Sequence, residues 1–417
     1  MTTVFHNATL IDGTGRDPRP GMAVVVEAGR IARVAPEAGL APPRDAEAID
    51  CQGRSLLPGL TDAHTHLGIV ATDLTSARAP AAVLALRIAK VIEETLDAGF
   101  TTVRDAGGID GGWAYAVESG LLRGPRILPS GSMLSQTAGH GDWRARFGEE
   151  PLPRTVPGLF SFPELCDSPD AVRRAAREQL RRGATQLKVM ASGGAMSPAD
   201  ELAHSQFTVE EIAAAVHEAE AVGTYVLAHA YGPRAIANAL DAGVRSIEHG
   251  NLLDEATAAA IKDAGAYLVP TLVTYEMIDL HGEAQGVPET NLRKIREARA
   301  KGEEALRIAA GAGVTIGSGS DLLALAQPFK ARELTLKAGL LGAMAAIVSA
   351  TRTNAEIFGL SERTGTVEEG KDADLIVVHG NPVDDISVLE SAANVELVMK
   401  GGVVVKRLSP DRAGPGS

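Results

Sequence analysis

Histidine, lysine and aspartate residues that could bind a metal ion stand at the ends of apolar segments in the middle of this chain. The segment TDAHTHLG carries His64 and His66 two positions apart. Because alternate side chains of an extended strand share a face, two imidazoles at this spacing can reach one ion. A lone His-x-His pair is also typical of hydrogen-bonded or solvated histidines, so a metal site requires further ligands.

Further candidates occur in later segments of the same kind. Lys188 lies in LRRGATQLKV, His229 ends EAVGTYVLAH, His249 ends LDAGVRSIEH and Asp321 ends GVTIGSGSD. Neutral imidazoles with an oxygen donor suit zinc or a similar divalent ion. A protonated lysine would repel such an ion, so Lys188 is either a structural residue or is modified to carry a negative charge.

A repeated pattern of helix end, glycine and strand positions these candidates. It occurs in residues 96–105, 180–189, 220–229, 240–249 and 262–270. Glycine tolerates the left-handed backbone that closes many helices, and the apolar residues that follow are typical of buried parallel strands. Three more strand candidates lie in residues 58–66, 124–131 and 313–321. Eight strands predict an α/β fold with a (β/α)8 TIM barrel, whose active residues gather where the strands end; a doubly wound open sheet is the alternative.

The two ends of the chain have a different pattern, of short apolar segments separated by turn residues. These are residues 1–58 and 359–417. Neither end has enough strands for a core of its own. We therefore expect the ends to combine into one small β-sandwich domain beside a barrel of residues 59–358.

Charge and composition limit the cellular setting and the partners. The 417 residues include 40 lysines and arginines against 53 aspartates and glutamates, a formal charge of −13 that disfavours nucleic acids and anionic membranes. No apolar stretch approaches the roughly 18 residues of a membrane span, and the start lacks the features of a secretory leader. Cys51 and Cys166 are too few for a disulfide framework. We expect a cytoplasmic protein with a small-molecule substrate, no nucleic-acid or membrane partner, and the homo-oligomeric state common among barrel enzymes.

The ordered series of candidate ligands resembles the amidohydrolase superfamily, and it runs His64, His66, Lys188, His229, His249 and Asp321. The resemblance covers nearly the whole chain. It implies two divalent metal ions, with zinc expected, one bound by His64, His66 and Asp321 and the other by His229 and His249. It also implies that Lys188 is carbamylated by carbon dioxide and bridges the ions. A hydroxide held between them would attack the amide carbonyl, with Asp321 as general base and then general acid.

Several phrases resemble one branch of that superfamily, which contains prolidase-like dipeptidases and carboxypeptidases and ochratoxin-type amidases. They are SQTAGHGD, LKVMASGG, HAYG, IEHGN and PTLVTY. Deaminases of the superfamily typically lack the lysine and carry a glutamate soon after the fifth-strand histidine, whereas LAHAYGPRA has none. The resemblance therefore implies hydrolysis of the amide bond to a C-terminal amino acid in a dipeptide or an N-acyl amino acid, including N-acyl-phenylalanine amides. Proline, aromatic and basic leaving residues all stay open.

Two further residues are candidates for contact with the substrate. His140 is flanked by glycines in TAGHGD and could pair with a substrate α-carboxylate, the alternative being an exposed loop histidine. Tyr231 follows His229 by two residues and could hydrogen-bond the carbonyl oxygen as negative charge develops, the alternative being a packing role. The polar segment 276–311 is expected to extend over the mouth of the barrel and to shape specificity.

Two other functions compete with this interpretation. A cyclic-amide hydrolase of the imidazolonepropionase type would keep the metals and open a ring instead of releasing an amino acid. A non-catalytic barrel scaffold would keep the fold alone, but the intact series of candidate ligands argues against it. The remaining histidines have no ligand-like context and are expected to be structural or solvated: His6, His204, His217, His281 and His379.

Overall fold

The computed structural model of the protein describes residues 2–40, 45–71, 79–149, 151 and 155–408. Its strands are β1 (Thr2–Leu10), β2 (Arg19–Glu27), β3 (Arg30–Pro36), β4 (Glu47–Asp50), β5 (Ser55–Pro58), β6 (Leu60–Thr65), β7 (Phe100–Asp105), β8 (Arg126–Pro129), β9 (Leu134–Ser135), β10 (Glu164–Leu165), β11 (Leu187–Met190), β12 (Val226–Ala230), β13 (Ser246–His249), β14 (Tyr267–Val269), β15 (Thr315–Ile316), β16 (Leu375–Val378), β17 (Val395–Lys400) and β18 (Val403–Arg407). Its α-helices are α1 (Ala81–Asp97), α2 (Gly111–Glu118), α3 (Pro169–Arg181), α4 (Val209–Ala221), α5 (Pro233–Asp241), α6 (Glu255–Asp263), α7 (Leu272–His281), α8 (Glu289–Ala312), α9 (Arg332–Leu341), α10 (Ala343–Val348) and α11 (Asn354–Ile357). None of the helices in these ranges is long and apolar enough to span a lipid bilayer.

Two parallel sheets alternate with helices, which confirms the predicted α/β fold. One sheet has the order β6-β7-β8 and the other the order β10-β9-β11-β12-β13-β14-β15. A strand overlaps each of the eight segments predicted from the sequence, whereas β9 and β10 were not predicted. Apolar side chains cover one face of the second sheet and belong to a core cluster shared with the helices; they include Leu187, Val189, Val226, Ala228 and Ile247.

Backbone hydrogen bonds join both edge strands of the three-stranded sheet, β6 and β8, to segments next to strands of the other parallel sheet. Ala63 N donates to Ser318 O at 2.8 Å, and Thr185 N donates to Pro129 O at 2.9 Å. The first bond places β6 beside the segment that follows β15, and the second places the end of β8 beside the segment that precedes β11. Closure of the strands into one eight-stranded barrel stays a prediction.

The two ends of the chain contribute to one further sheet. Its order is β18-β17-β16-β5-β1-β2-β3, with β4 paired to β1. The two ends join where β16 runs antiparallel to β5, with Leu375 opposite Pro58 and Val378 opposite Ser55. Because all eight strands belong to one hydrogen-bonded sheet, a sandwich of two sheets stays a prediction. Residues 409–417, which the predicted domain includes, lie outside the described residues.

The segment 276–311, which was expected to extend over the mouth of the barrel, is mostly helical. It comprises the end of α7, a short connection of residues 282–288, and most of α8. The sequence interpretation did not predict α8, because the many charged residues of this segment obscure the helical spacing of its apolar residues. Those apolar residues form one buried stripe that includes Leu292, Ile295 and Ala298. Residues 285–288 and the start of α8 line the cavity described below.

Candidate metal centre and substrate cavity

The predicted ligands gather around one cavity of about 410 Å³, at the carboxyl ends of the parallel strands. β6 ends beside His64 and His66, β11 carries Lys188, β12 carries His229 and β13 ends at His249. Parallel pairing brings these strand ends into register, with His229 opposite Glu248 and Ala230 opposite His249. The cavity is lined by all eight residues singled out from the sequence: His64, His66, His140, Lys188, His229, Tyr231, His249 and Asp321.

Three of these residues form a compact cluster. The Oδ1 atom of Asp321 lies 3.1 Å from His66 Nε2 and 3.5 Å from His64 Nε2. One ligand atom from each residue lies within 4.8 Å of the others, the spacing that one ion would bridge. His66 Nδ1 donates to Gly107 O at 2.7 Å, so its Nε2 lone pair is left for a metal.

The backbone around Asp321 is shaped to bring its carboxylate to the histidines. Asp321 N and Ser320 N both donate to His64 O, at 2.7 Å and 3.1 Å. Asp321 has a φ of +53°, a conformation that is uncommon for residues other than glycine. A Cβ atom on Gly319 would lie 2.5 Å from His64 Cβ, so only glycine allows this approach. The strained loop is thus fitted against the His-x-His strand.

The other histidine pair lies beside the first cluster. The ring centroids of His229 and His249 are 4.6 Å apart, and those of His64 and His249 are 4.9 Å apart. His229 Nε2 donates to Gly193 O at 3.0 Å, which leaves the Nδ1 lone pair for a metal. Burial lowers the pKa of His249 to about 3, so its imidazole is neutral, the form that binds metals.

Lys188 has an unusual environment. Its side chain is only 1% exposed, and its Nζ atom has no hydrogen-bond partner among the described residues. Burial lowers the pKa of the amine to about 8, against the attraction of Glu248 and Asp321. A buried amine without a partner is costly, so the environment of Lys188 fits a lysine that is modified.

Three fully buried polar residues form a hydrogen-bonded group on the Nδ1 side of His64. His64 Nδ1 lies 2.6 Å from Glu248 Oε2, and Glu248 Oε1 accepts hydrogen bonds from Arg104 Nη2 at 2.8 Å and Ser246 Oγ at 2.6 Å. Arg104 Nε also donates to Ala63 O at 2.5 Å, which ties β7 to β6. Burial raises the pKa of the Glu248 carboxyl, and the guanidinium of Arg104 opposes that shift. The carboxylate therefore accepts from His64 Nδ1–H and leaves Nε2 facing Asp321.

Aromatic residues and His140 form the walls of the cavity. His140 stacks on His229 with ring centroids 4.3 Å apart. The hydroxyl of Tyr231 is 2.8 Å from that of Tyr275, and burial raises the pKa of both phenols, which keeps them protonated. The aromatic wall on another side comprises Trp143, Phe160 and Phe162. The cavity lining thus combines polar groups with apolar surface for a substrate.

The sequence interpretation missed the residues that support the predicted ligands. Arg104 and Glu248 are charged residues inside the apolar strand segments TTVRD and SIEH, which was an available signal. Tyr275 lies in the phrase PTLVTY without having been singled out. The remaining histidines line no part of this cavity: His6 is half-buried beside Glu37, and the exposed ones are His204, His217, His281 and His379.

This chain is similar to known proteins in both sequence and structure. A sequence model of the Amidohydrolase family matches residues 55–405. Ochratoxinase from Aspergillus niger is 35% identical over 421 aligned residues, which cover 97% of this chain and 86% of that protein. A crystal structure of a prolidase complexed with N-methylphosphonate-L-proline matches with a TM-score of 0.94 at 42% identity, covering 98% of this chain and 100% of the prolidase. A Xaa-Pro dipeptidase with methionine bound in its active site matches with a TM-score of 0.86 at 31% identity, covering 97% of this chain and 100% of the dipeptidase.

Proposed function

Because this chain belongs to the Amidohydrolase family, we propose that it cleaves the amide bond to the C-terminal amino acid of a dipeptide or an N-acyl amino acid. The observation that carries the proposal is the convergence of all six predicted ligands on one cavity. The similar proteins support the class of bond, since they include a prolidase, a Xaa-Pro dipeptidase and an ochratoxinase. An N-acyl-phenylalanine amide and an Xaa-Pro dipeptide are accordingly the first substrates to test.

The donor set fits two divalent ions, and zinc suits its nitrogen and oxygen atoms. We assign His64, His66 and Asp321 to one ion, and His229 and His249 to the other. When bound, such ions lower the pKa of a water molecule and polarise the scissile carbonyl.

Lys188 is proposed to bridge the two ions as a carbamate. Its neutral amine would add to carbon dioxide, forming an N–C bond and releasing one proton, and would thereby become an anionic oxygen ligand. The lowered pKa of Lys188 and the lack of a hydrogen-bond partner at Nζ support this modification. An unmodified ammonium group would instead repel both ions.

Asp321 is proposed to move the proton. Burial alone would raise the pKa of its carboxyl, but the imidazoles of His66 and His249 close to it bring the pKa below its usual value, so the carboxylate is ionised. It can therefore take a proton from the attacking water and afterwards deliver it to the leaving amine. Its backbone bonds to the strand of His64 hold it in place for both steps.

Tyr231 and His140 are proposed to bind the substrate. The protonated phenol of Tyr231 can donate to the carbonyl oxygen as negative charge develops there. The imidazole of His140 lines the same cavity and is proposed to pair with the α-carboxylate of the leaving residue. The aromatic wall of Trp143, Phe160 and Phe162 supports a preference for apolar acyl groups or side chains.

We also infer the finer architecture and setting of the protein. The hydrogen bonds from both edge strands of the three-stranded sheet support a closed eight-stranded barrel of residues 59–358. The composite sheet supports a second domain formed by residues 1–58 and 359–417. A cytoplasmic location and a homo-oligomeric state stay predictions from composition and from barrel enzymes in general.

A substrate panel tests the proposed activity. Purified, zinc-loaded protein is incubated with Xaa-Pro, Xaa-Phe and Xaa-Arg dipeptides, N-acyl-phenylalanine and a cyclic imidazolone, and products are identified by mass spectrometry. We expect release of a free C-terminal amino acid from at least one linear substrate. Ring opening without amino-acid release would favour the imidazolonepropionase type, and no reaction with any linear substrate would contradict the proposal.

A further inference from the structure

A further buried polar cluster lies beside the loop of Asp321, outside the set of predicted metal ligands. It joins β6 to the loop that follows β15 and to the segment that precedes α9. Buried polar groups of this kind hold a specific local structure, because each would be costly without a partner. The five members, called the Lys330 cluster below, are between 0% and 4% exposed, and none of the five lines the cavity: Asp62, Thr65, Ser320, Gln327 and Lys330.

Asp62 ties the loop of Asp321 to β6 on the side that precedes both ligands. Its Oδ1 atom accepts hydrogen bonds from His64 N and from Ser320 N, both at 3.0 Å. Its Oδ2 atom accepts from the hydroxyl of Ser320 at 2.6 Å. One carboxylate therefore holds the backbone of a predicted ligand together with the residue immediately before another predicted ligand.

Gln327 makes a corresponding connection on the other side of the ligands. Its Nε2 atom donates one hydrogen bond to His66 O at 2.8 Å and a second to Leu322 O at 2.7 Å. His66 is a predicted ligand, and Leu322 directly follows Asp321 in the chain. Together with the bonds to Asp62, these two bonds fix the loop against β6 on both sides of Asp321.

Lys330 connects the two sets of bonds. Its Nζ atom donates to Gln327 Oε1 at 2.6 Å and to Thr65 Oγ1 at 2.7 Å, and it lies 3.8 Å from Asp62 Oδ2. Because an ammonium group can only donate, it sets the orientation of the Gln327 amide, with the NH2 group towards the two carbonyl oxygens. The positive charge also compensates the buried carboxylate of Asp62.

The geometry of the first ligand set depends on these contacts. Asp321 has a φ of +53°, a conformation that persists only where the surrounding structure holds it. Its Oδ1 atom is thereby kept 3.1 Å from His66 Nε2 and 3.5 Å from His64 Nε2. A site whose ligands are already ordered by the fold loses less binding free energy to ordering them.

We propose that Gln327 and Lys330 are positioning residues that hold His64, His66 and Asp321 at the separation needed for the first metal ion. This inference rests on the proposed function, because it takes those three residues as the ligands of one ion. The Lys330 cluster acts through the ligands and touches no reacting atom, so it controls the affinity for that ion. The second ion is assigned to ligands on β12 and β13, outside the cluster, so its affinity should depend little on these residues.

Substitution of Gln327 tests the inference. Gln327→Met keeps the length of the side chain but removes both donors and the acceptor. Gln179→Met is the matched control, because Gln179 is 1% exposed, accepts from Ser132 N at 2.9 Å and donates to Glu164 Oε2 at 3.1 Å, without contact to a predicted ligand. Both zinc affinities are measured by competition with a chromophoric chelator. His66→Ala, which removes a ligand of the first ion, identifies the affinity that belongs to that ion.

We expect Gln327→Met to lower the affinity for the first ion about 10-fold to 100-fold and to leave the affinity for the second within about threefold of the parent. In Gln179→Met, neither affinity should change by more than about twofold. Equal affinities in the two variants, or equal losses for both ions in Gln327→Met, would overturn the inference.

Ser320→Ala provides the test if Gln327→Met does not fold. It removes only the hydroxyl that donates to Asp62 and should lower the affinity for the first ion about threefold to tenfold, the effect of one buried hydrogen bond. An affinity equal to that of the parent would also overturn the inference. If the parent binds no ion whose affinity falls in His66→Ala, the metal assignment of the proposed function fails instead.

Discussion

Replacing Glu248 by glutamine should disturb the metal centre through His64 without removing any ligand. The carboxylate of Glu248 accepts from three donors: His64 Nδ1, Arg104 Nη2 and Ser246 Oγ. A glutamine amide has one oxygen and one NH2 group, so it must present N–H groups to one side of this cluster. If the NH2 group faces His64, the imidazole must move its hydrogen to Nε2 and lose the lone pair that would bind metal. If the NH2 group instead faces Arg104, its N–H groups point at the N–H groups of the guanidinium. The guanidinium then also lacks a negatively charged partner.

The magnitude follows from the burial of the cluster. Arg104 and Glu248 are 0% exposed, and removing one partner of a buried ion pair costs about 3–5 kcal/mol of stability. A group that orients a metal-ligating histidine typically contributes about 10-fold to 100-fold in metal affinity. Glu248→Gln should therefore lower both the free energy of unfolding of the metal-free protein and the affinity for zinc.

The assay combines urea unfolding of the metal-free protein with zinc competition against a chromophoric chelator. Glu333→Gln is the matched control, because Glu333 is 1% exposed, lies 3.7 Å from Lys337 and accepts a hydrogen bond from Val273 N at 2.8 Å. The zinc affinity of the control should stay within about twofold of the parent, since Glu333 contacts no predicted ligand. A zinc affinity of Glu248→Gln that equals that of Glu333→Gln would refute the reasoning.

Three further predictions concern the candidate site and the two cysteines. Lys188→Ala and Asp321→Asn should each lower kcat on the order of 1,000-fold or more, because each removes a group proposed to act at the reacting atoms. The circular dichroism spectrum of both variants should match that of the parent. Near-normal turnover in either variant would contradict the mechanism. Tyr275→Phe should lower kcat about threefold to tenfold, because it removes the hydroxyl 2.8 Å from that of Tyr231, and a kcat equal to the parent's would exclude this contact from catalysis. Burial raises the pKa of Cys51 and Cys166 to about 12, so neither thiol of the native protein should react with a thiol reagent at pH 8. Both thiols should react once urea has unfolded the protein. Rapid labelling of the native protein would contradict this prediction.

The parallel strands could be predicted because their signal is local. Each predicted unit ends a helix with a glycine that has a positive φ in the structure, from +65° at Gly265 to +91° at Gly99. The apolar residues that follow need only their own sequence to be recognised as buried strands. By contrast, β9 and β10 are two residues long each and are defined by pairing with distant segments, which no local pattern reveals.

The sequence was sufficient to predict the candidate metal ligands, but not the residues that form hydrogen bonds with those ligands and hold them in place. The histidines, Lys188 and Asp321 stand out because they are polar residues in or at the end of apolar segments of the sequence, although Asp321 lies five residues beyond the end of β15 in the structure. The residues behind them are visible only after folding: His64 and Glu248 are 184 positions apart in the chain, and His140 and Ser197 are 57 positions apart. Sequence spacing gives no information about contacts between such distant segments, so the tautomers and the hydrogen-bond directions required the structure.

The most direct test of the central claim is the metal content of the parent protein and of Lys188→Ala, measured by elemental analysis after growth with added zinc. Each sample is also assayed for release of a free C-terminal amino acid, before and after treatment with a chelator. We predict close to two ions per parent chain, activity that is lost on chelation and restored by zinc, and fewer ions in the variant. Fewer than one ion per parent chain, or activity that persists without metal, would contradict the assignment of His64, His66, His229 and His249 as metal ligands.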